Sequence, residues 1–203
     1  ATPETRERKR EELGITGKRV MVYVGSFGGW YLTEETADIF GAFRERYPNA
    51  FAMILTQSRP KEIEPLLREA GYLDGEYLIN QVPSAEIPEY LVAADVAVSF
   101  IKPCYSKQAS SPTKNAEYLA CGLPIIANSG VGDVDLLVEG HGVGALIANF
   151  DRESYFRAFD RIESHGDIAD RCRTVASDEF DLKTVGGARY RRLYSSLTGI
   201  DGM

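Results

Sequence analysis

Glu117 stands out by its place in the chain. Residues 110–127 read SSPTKNAEYLACGLPIIA, and Glu117 falls in the second turn of the helix that this string predicts. Ser110 or Ser111 supplies an N-cap, Pro112 the first helical position, Gly122 the stop, and Pro124 opens an apolar strand. Thr113 lies four residues earlier, on the same helical face. A carboxylate near a helix start can accept hydrogen bonds from a ligand's hydroxyls, although a solvated surface Glu has the same spacing. The second such feature is residues 25–29, GSFGG. Between a strand and a helix, bare glycine backbone lets N–H groups approach a phosphate, and the helix dipole adds to the attraction. A plain tight turn has the same composition.

These features need elements to position them, and the chain predicts them in alternation. Residues 4–13 form a charged, solvated connecting helix ended by Gly14. Residues 19–24, RVMVYV, are a central parallel strand, apolar on both faces. Beyond the glycine loop, Thr33 caps an amphipathic helix over 34–46. Strand 51–55, helix 60–71, strand 76–80, a short helix over 84–93 and strand 96–100 follow. Residues 101–109 are a loop. After the helix bearing Glu117 come strand 123–127, a glycine turn at 129–133, a short helix to about residue 138 and strand 143–147. The tail is helical, with apolar stripes over 152–164 and 183–197. Six strands alternating with helices imply an α/β fold: an open, doubly wound, Rossmann-like parallel sheet with helices on both faces.

Bulk properties narrow the function. With 203 residues, 44% of them hydrophobic, the chain builds one well-cored domain. Its net charge of −7, without basic runs interleaved with aromatics, argues against nucleic acid as a partner. Cys104, Cys121 and Cys172 have neither zinc-site spacing nor disulfide-scaffold density, so no metal and a cytoplasmic location are expected. No apolar run reaches the roughly 20 residues needed to span a bilayer. The chain opens at Ala1 without an initiator Met, as a processed protein or a piece of a longer one would.

In a doubly wound sheet the ligand sits outside the carboxyl ends of the strands. The candidate loops are therefore 25–29, 56–59 (with Ser58 and Arg59), 81–83 and 101–111. A dinucleotide cofactor is disfavoured. Phe27 stands where G-x-G-x-x-G needs a bare backbone, and strand 51–55 is followed by Thr56 and Gln57 rather than an acidic residue. No P-loop is present. What remains is a mononucleotide diphosphate, with the first loop on phosphate and Glu117 on the ribose hydroxyls. His141 and His165 lie away from the strand ends.

Three stretches carry a family resemblance: 23–31 (YVGSFGGWY), 82–96 (VPSAEIPEYLVAADV) and, most specifically, 111–126 (SPTKNAEYLACGLPII). Residues 130–133 and 184–194 add weaker likenesses. The chain resembles the carboxy-terminal, nucleotide-sugar-binding half of a GT-B glycosyltransferase of the retaining family 4 (group 1). The resemblance implies transfer of a sugar, of the hexosyltransferase type, from a UDP or GDP donor with retained configuration and no metal cofactor. It places Glu117 in the second slot of an E-x7-E pattern, on the ribose. The first slot falls on Ala109, which leaves backbone N–H groups over Ser110, Ser111, Pro112 and Thr113 for donor sugar and phosphate. The diphosphate would lie against Gly25, Ser26, Phe27, Gly28, Gly29 and Ser58. The family's first-loop cations fall near Ser26 and Tyr31 here, so Arg59, Lys107 and Lys114 are the nearest substitutes, each also readable as a solvated surface cation. Backbone near Val82 would read the base.

The resemblance also implies an organisation. Residues 1–17 are a connecting helix, 18–180 the nucleotide-sugar domain, and 181–203 a helix that crosses back to an amino-terminal acceptor-binding domain outside this chain. Without that partner the fragment is expected to be inactive, with exposed apolar area or self-association at the last helix. The acceptor would be a glycan or lie at a membrane surface. The alternatives are a non-catalytic nucleotide-sugar-binding module, or a nucleotide-sugar epimerase or hydrolase of the same fold.

Overall fold

The computed structural model describes residues 2–166 and 168–198. Six strands, β1 (Arg19–Val24), β2 (Ala50–Leu55), β3 (Tyr77–Asn80), β4 (Val96–Ser99), β5 (Ile125–Asn128) and β6 (Gly144–Ile147), form one sheet in the order β3-β2-β1-β4-β5-β6. Every pairing is parallel. The chain winds one way from β1 to β3 and the other way from β4 to β6, which is the expected doubly wound α/β topology.

Alternation along each strand divides the core between the two faces. Val20, Val22 and Val24 of β1 pack towards α4 (Ile87–Leu91), α5 (Thr113–Ala120) and α7 (Ile168–Phe180). Met21 and Tyr23 pack towards α2 (Thr33–Arg46), α3 (Pro60–Glu69) and α6 (Arg152–Glu163). α7 is an element that the sequence reading did not single out. It packs on α5 and buries Cys172, Val175 and Ala176. Asp170, Asp178 and Glu179 interrupt its apolar stripe. The short helix expected over 84–93 keeps only the five residues of α4, with Pro88 inside its first turn.

The first helix, α1 (Pro3–Glu12), corrects the expectation of a solvated connector. Lys9 and Arg10 are buried. Arg6 donates to the carbonyls of Val92 and Ala94 and, at 2.6 Å, to Asp95. Arg10 donates to the Ala93 and Lys18 carbonyls and lies 3.6 Å from the other Asp95 oxygen. That oxygen also accepts from the Val20 amide at 2.6 Å. Charge patterning alone hides this, because a clamp on distant carbonyls and a solvated run share one composition.

At the other end of the chain, a π-turn over Leu182–Gly186 leads into α8 (Gly187–Thr198). Leu182, Tyr190, Leu193, Tyr194 and Leu197 are more than half exposed, matching the apolar surface expected there.

Replacing Asp95 by Ala leaves two guanidinium groups without their counter-ion and the Val20 amide without its acceptor, so unfolding in urea should show a loss of about 3 kcal/mol. A loss under about 1 kcal/mol, the range of exposed pairs, would mean that α1 is only loosely held.

Candidate functional site

The site is built outside the carboxyl ends of β1 and β4, where the winding direction changes. The β1–β4 ladder stops at the Tyr23–Val98 pair. The next amide, that of Val24, donates at 2.8 Å to the Tyr118 hydroxyl from α5. Tyr118 is fully buried, and burial holds its phenol well above the ordinary range, so it stays neutral. Its hydroxyl also donates, at 3.4 Å, to the Val98 carbonyl. This anchor fixes α5 against both strands and sets the direction of Lys114, one turn earlier on the same face.

Two loops wall the site. The loop after β1 meets the loop after β4 through an antiparallel bridge between Tyr31 and Ile101 and a 2.8 Å bond from the Lys102 amide to the Trp30 carbonyl. Asn128, at the end of β5, then clasps the Ile101 backbone, accepting from its N–H at 2.8 Å and donating to its C=O at 2.9 Å. Behind the 110–113 stretch, a Cβ on Gly132 would sit 1.6 Å from the Ser110 carbonyl oxygen. Neither Asn128 nor Gly132 was singled out from sequence as a support. The 129–133 glycine turn was the only signal.

Between these walls lies an open cavity of about 420 Å³ that Gly25, Tyr31, Lys107, Ser110, Ser111, Pro112, Thr113, Lys114 and Glu117 help to line. Two ionisable groups of α5 face it. Glu117 is exposed to it from the second turn of α5. Lys114 is 8% exposed, and its Nζ has no hydrogen-bond partner among the described residues. The Nζ lies 4.7 Å from the ring centroids of both Tyr23 and Tyr31. Burial pushes its ammonium down to about 7. Two aromatic faces favour a cation by about 0.5–2 kcal/mol each, whereas a buried ammonium without an acceptor is penalised more heavily. Lys107 sits above the Trp30 ring, 5.2 Å from its centroid, at the same cavity.

Several expected contacts are corrected. α5 begins at Thr113 with Pro112 as its cap residue, and neither Ser110 nor Ser111 caps it through a side chain. The turn after Lys107 occupies the Ser110 amide, which donates to the Lys107 carbonyl at 3.2 Å. Among the described residues the amides of Ser111, Thr113 and Lys114 have no protein acceptor, as the first turn of a helix leaves them. Lys114, readable as a solvated or flanking cation, is interior. Arg59 is exposed and does not line the cavity.

The first loop is also tied down from within. The Gly25 amide donates to Leu55, the Phe27 amide to the Ser58 hydroxyl, and the Gly28 amide to Thr33. Thr33 therefore serves the loop rather than capping α2, which has Leu32 at its cap position. Ser58 likewise holds the loop and does not reach the cavity. Ser26, Phe27, Gly28, Gly29 and Val82 lie outside the lining, and only Gly25 of the loop reaches it. Of the loop amides, those of Ser26 and Gly29 have no acceptor among the described residues. Val82 is buried in the core beside α4.

A second cavity, of about 320 Å³, lies at the opposite ends of the strands beside Arg6, Asp95 and Gly122. Its charged side chains are already paired, Arg6 with Asp95 and Arg173 with Asp170.

Residues 5–178 match the family described as Glycosyl transferases group 1. The chain belongs to the group 1 glycosyl transferases. No curated protein sequence matches it. Among solved structures, it is similar to WaaG, a glycosyltransferase involved in lipopolysaccharide biosynthesis, with 20% identity and a TM-score of 0.73 over 98% of this chain and 52% of that one. It is also similar to Anabaena HepE in complex with UDP and glucose, with 19% identity and a TM-score of 0.74 over 96% and 53%. A third likeness is to the C-terminal domain of the group 1 protein LpcC from Francisella tularensis, with 20% identity and a TM-score of 0.67 over 87% and 93%. The chain thus spans about half the length of the first two and most of the third. Across these solved structures the likeness is one of fold. No helix among the described residues is long and apolar enough to cross a membrane.

Three substitutions test how this group 1 site is held. Tyr118→Phe leaves the buried Val24 amide without an acceptor and should lower stability by about 1–3 kcal/mol in denaturant unfolding. Gly132→Ala should cost more than Gly28→Ala. Both force a left-handed Ala, worth roughly 1–2 kcal/mol, but only the Gly132 Cβ meets backbone, while Gly28 has open space. Equal losses would show that the Ser110 backbone yields freely.

Proposed function

We propose that the chain is the nucleotide-sugar-binding half of a retaining, family 4-like GT-B glycosyltransferase, taking a hexose from a UDP- or GDP-linked donor. The observation that carries this is the pairing of an acceptor-less interior Lys114 with an exposed Glu117 three residues on, both at one cavity at the switch point of the sheet. A diphosphate supplies the anion that Lys114 lacks, and ribose hydroxyls suit a solvent-facing carboxylate. HepE, a structural neighbour of the same fold, has been crystallised with UDP-glucose.

Under this reading the donor's diphosphate lies between Lys114 and the unpaired amides of Ser111 and Thr113, with Lys107 at its edge. When the bond from the sugar's anomeric carbon to the diphosphate oxygen breaks, the electron pair goes to that oxygen. Charge developing there is met by donors already fixed in place, which is the most effective form of electrostatic stabilisation. The base is contacted through backbone near Val82. An acceptor-binding domain completes the cleft and covers the apolar face of α8. No catalytic base is assigned to this half.

Glu117→Ala should weaken nucleoside diphosphate binding by about 1.5–3 kcal/mol, the range for hydrogen bonds to a charged group. Calorimetry with UDP, GDP and ADP on both proteins measures this and ranks the bases. Unchanged affinity for the best nucleotide would remove Glu117 from the ribose. Release of free sugar from the donor, or interconversion of the donor sugar, would instead favour the hydrolase or epimerase reading.

A further inference from the structure

The interior lysine is costly where it sits. Its Nζ is sealed from solvent, has no acceptor among the described residues, and is flanked on two sides by aromatic rings rather than by a carboxylate. The groups facing it come from each neighbouring element. From β1 it meets Tyr23, whose hydroxyl is committed to the Ser26 carbonyl at 2.7 Å and whose phenol burial holds well above its ordinary range. From the loop after β1 it meets Tyr31. From the loop after β4, Lys107 brings a like charge to the same cavity, and from its own helix Glu117 brings an opposite one on the exposed side. Neither is in hydrogen-bond contact with the Nζ. A Cβ on Gly25 would lie 3.6 Å from the Nζ, so the first loop passes directly over the amine.

This arrangement suits an amine that changes charge with occupancy. Burial without a counter-ion favours the neutral form, and an anion of two or three charges brought to the cavity favours the ammonium. We propose that Lys114 is a proton-coupled anchor: neutral between Tyr23 and Tyr31 when the cavity holds no anion, and protonated when a nucleoside diphosphate binds, so that binding takes up one proton from solvent. The proton adds to the Nζ lone pair, and no other bond changes. When the diphosphate leaves, the proton returns to water. Depression of the free amine to about 7 by burial agrees with this. The inference rests on the nucleotide-donor reading.

The sign follows from linkage. Where the complex holds one more proton than its separate parts, affinity falls about tenfold per pH unit. That window opens above about pH 7, the free amine's value, and closes only near the value of the bound ammonium. Over the same window the unfolded chain, with an ordinary lysine near pKa 10.4, binds more protons than the folded one, so the unliganded protein gains stability as pH rises.

The test is calorimetry of UDP binding at about pH 8 in buffers of different ionisation enthalpy, where the nucleotide's own phosphates, with a second pKa near 6, are already ionised. The slope of observed enthalpy against buffer enthalpy should give about one proton taken up. UDP affinity should fall roughly tenfold per unit above about pH 7.5. Lys114→Arg, which stays charged, should bring both the uptake and the pH dependence close to zero. If that variant does not fold, the unliganded wild type still reports through urea unfolding, where stability should rise from about pH 7.5 to 9. UDP binding without proton uptake and with flat pH dependence overturns the proposal and leaves the nucleotide reading standing. Failure of UDP, GDP and ADP alike to bind overturns both.

Discussion

One hydroxyl closes the sheet where its ladder runs out. At a switch point β1 must pair with β2 on one side and β4 on the other, and the β1–β4 ladder ends at Tyr23. The Val24 amide would be buried and unpaired there, at a cost of about 1–3 kcal/mol, if Tyr118 did not accept from it. Because that hydroxyl belongs to α5, satisfying the backbone also fixes the helix. Lys114 is directed under the first loop and Glu117 towards the open cavity by the same anchor. The site is therefore a by-product of completing the sheet's hydrogen bonds, and it inherits the rigidity of the core.

The opposite ends of the strands are secured by charge instead. Asp95 receives the Val20 amide and lies among Arg6, Arg10 and, at 4.0 Å, Arg19. A carboxylate at this depth is tolerated because several donors converge on it. The two ends differ in kind. The amino ends hold a network of paired charges in which the buried Arg19 Nε still lacks an acceptor among the described residues, whereas the carboxyl ends leave an ammonium, the Ser99 hydroxyl, the Asn115 side-chain amide and several backbone amides unmet. Polar groups left unsatisfied and gathered at one end of the sheet mark where a ligand is expected.

The fold was legible because its signals are local and repeated. All six strands fall within a few residues of their expected places, since β-branched runs between turn residues leave little choice. α7 escaped notice because its burial is decided by α5, which no local period reports. Site legibility followed the same division. Of the residues lining the cavity, helix grammar points to Glu117, and the position after a strand points to Gly25. Lys114 also lines the cavity, but its interior environment is not legible from sequence. One residue type serves surface and interior alike, and only the packing of Tyr23 and Tyr31 from elsewhere in the chain decides between them. Arg59 and Ser58 were drawn in by proximity to a strand end, yet one faces solvent and the other is spent on the Phe27 amide. Asn128 and the Arg6 and Arg10 clamp act on backbone carbonyls and amides far along the chain, and such targets leave no trace in spacing.

Lys114 and Glu117 share one rigid helix, three residues apart, so the separation of their Cα atoms along the axis is set by the helical rise, roughly 4.5 Å. Thermal displacement of α5 translates both groups together and cannot change that interval. The helix thus acts as a ruler. Under the proposed nucleotide-donor reading, a ligand is gauged by the span between its anionic centre and its hydroxyls, and a shorter or longer phosphate chain meets only one mark on the scale.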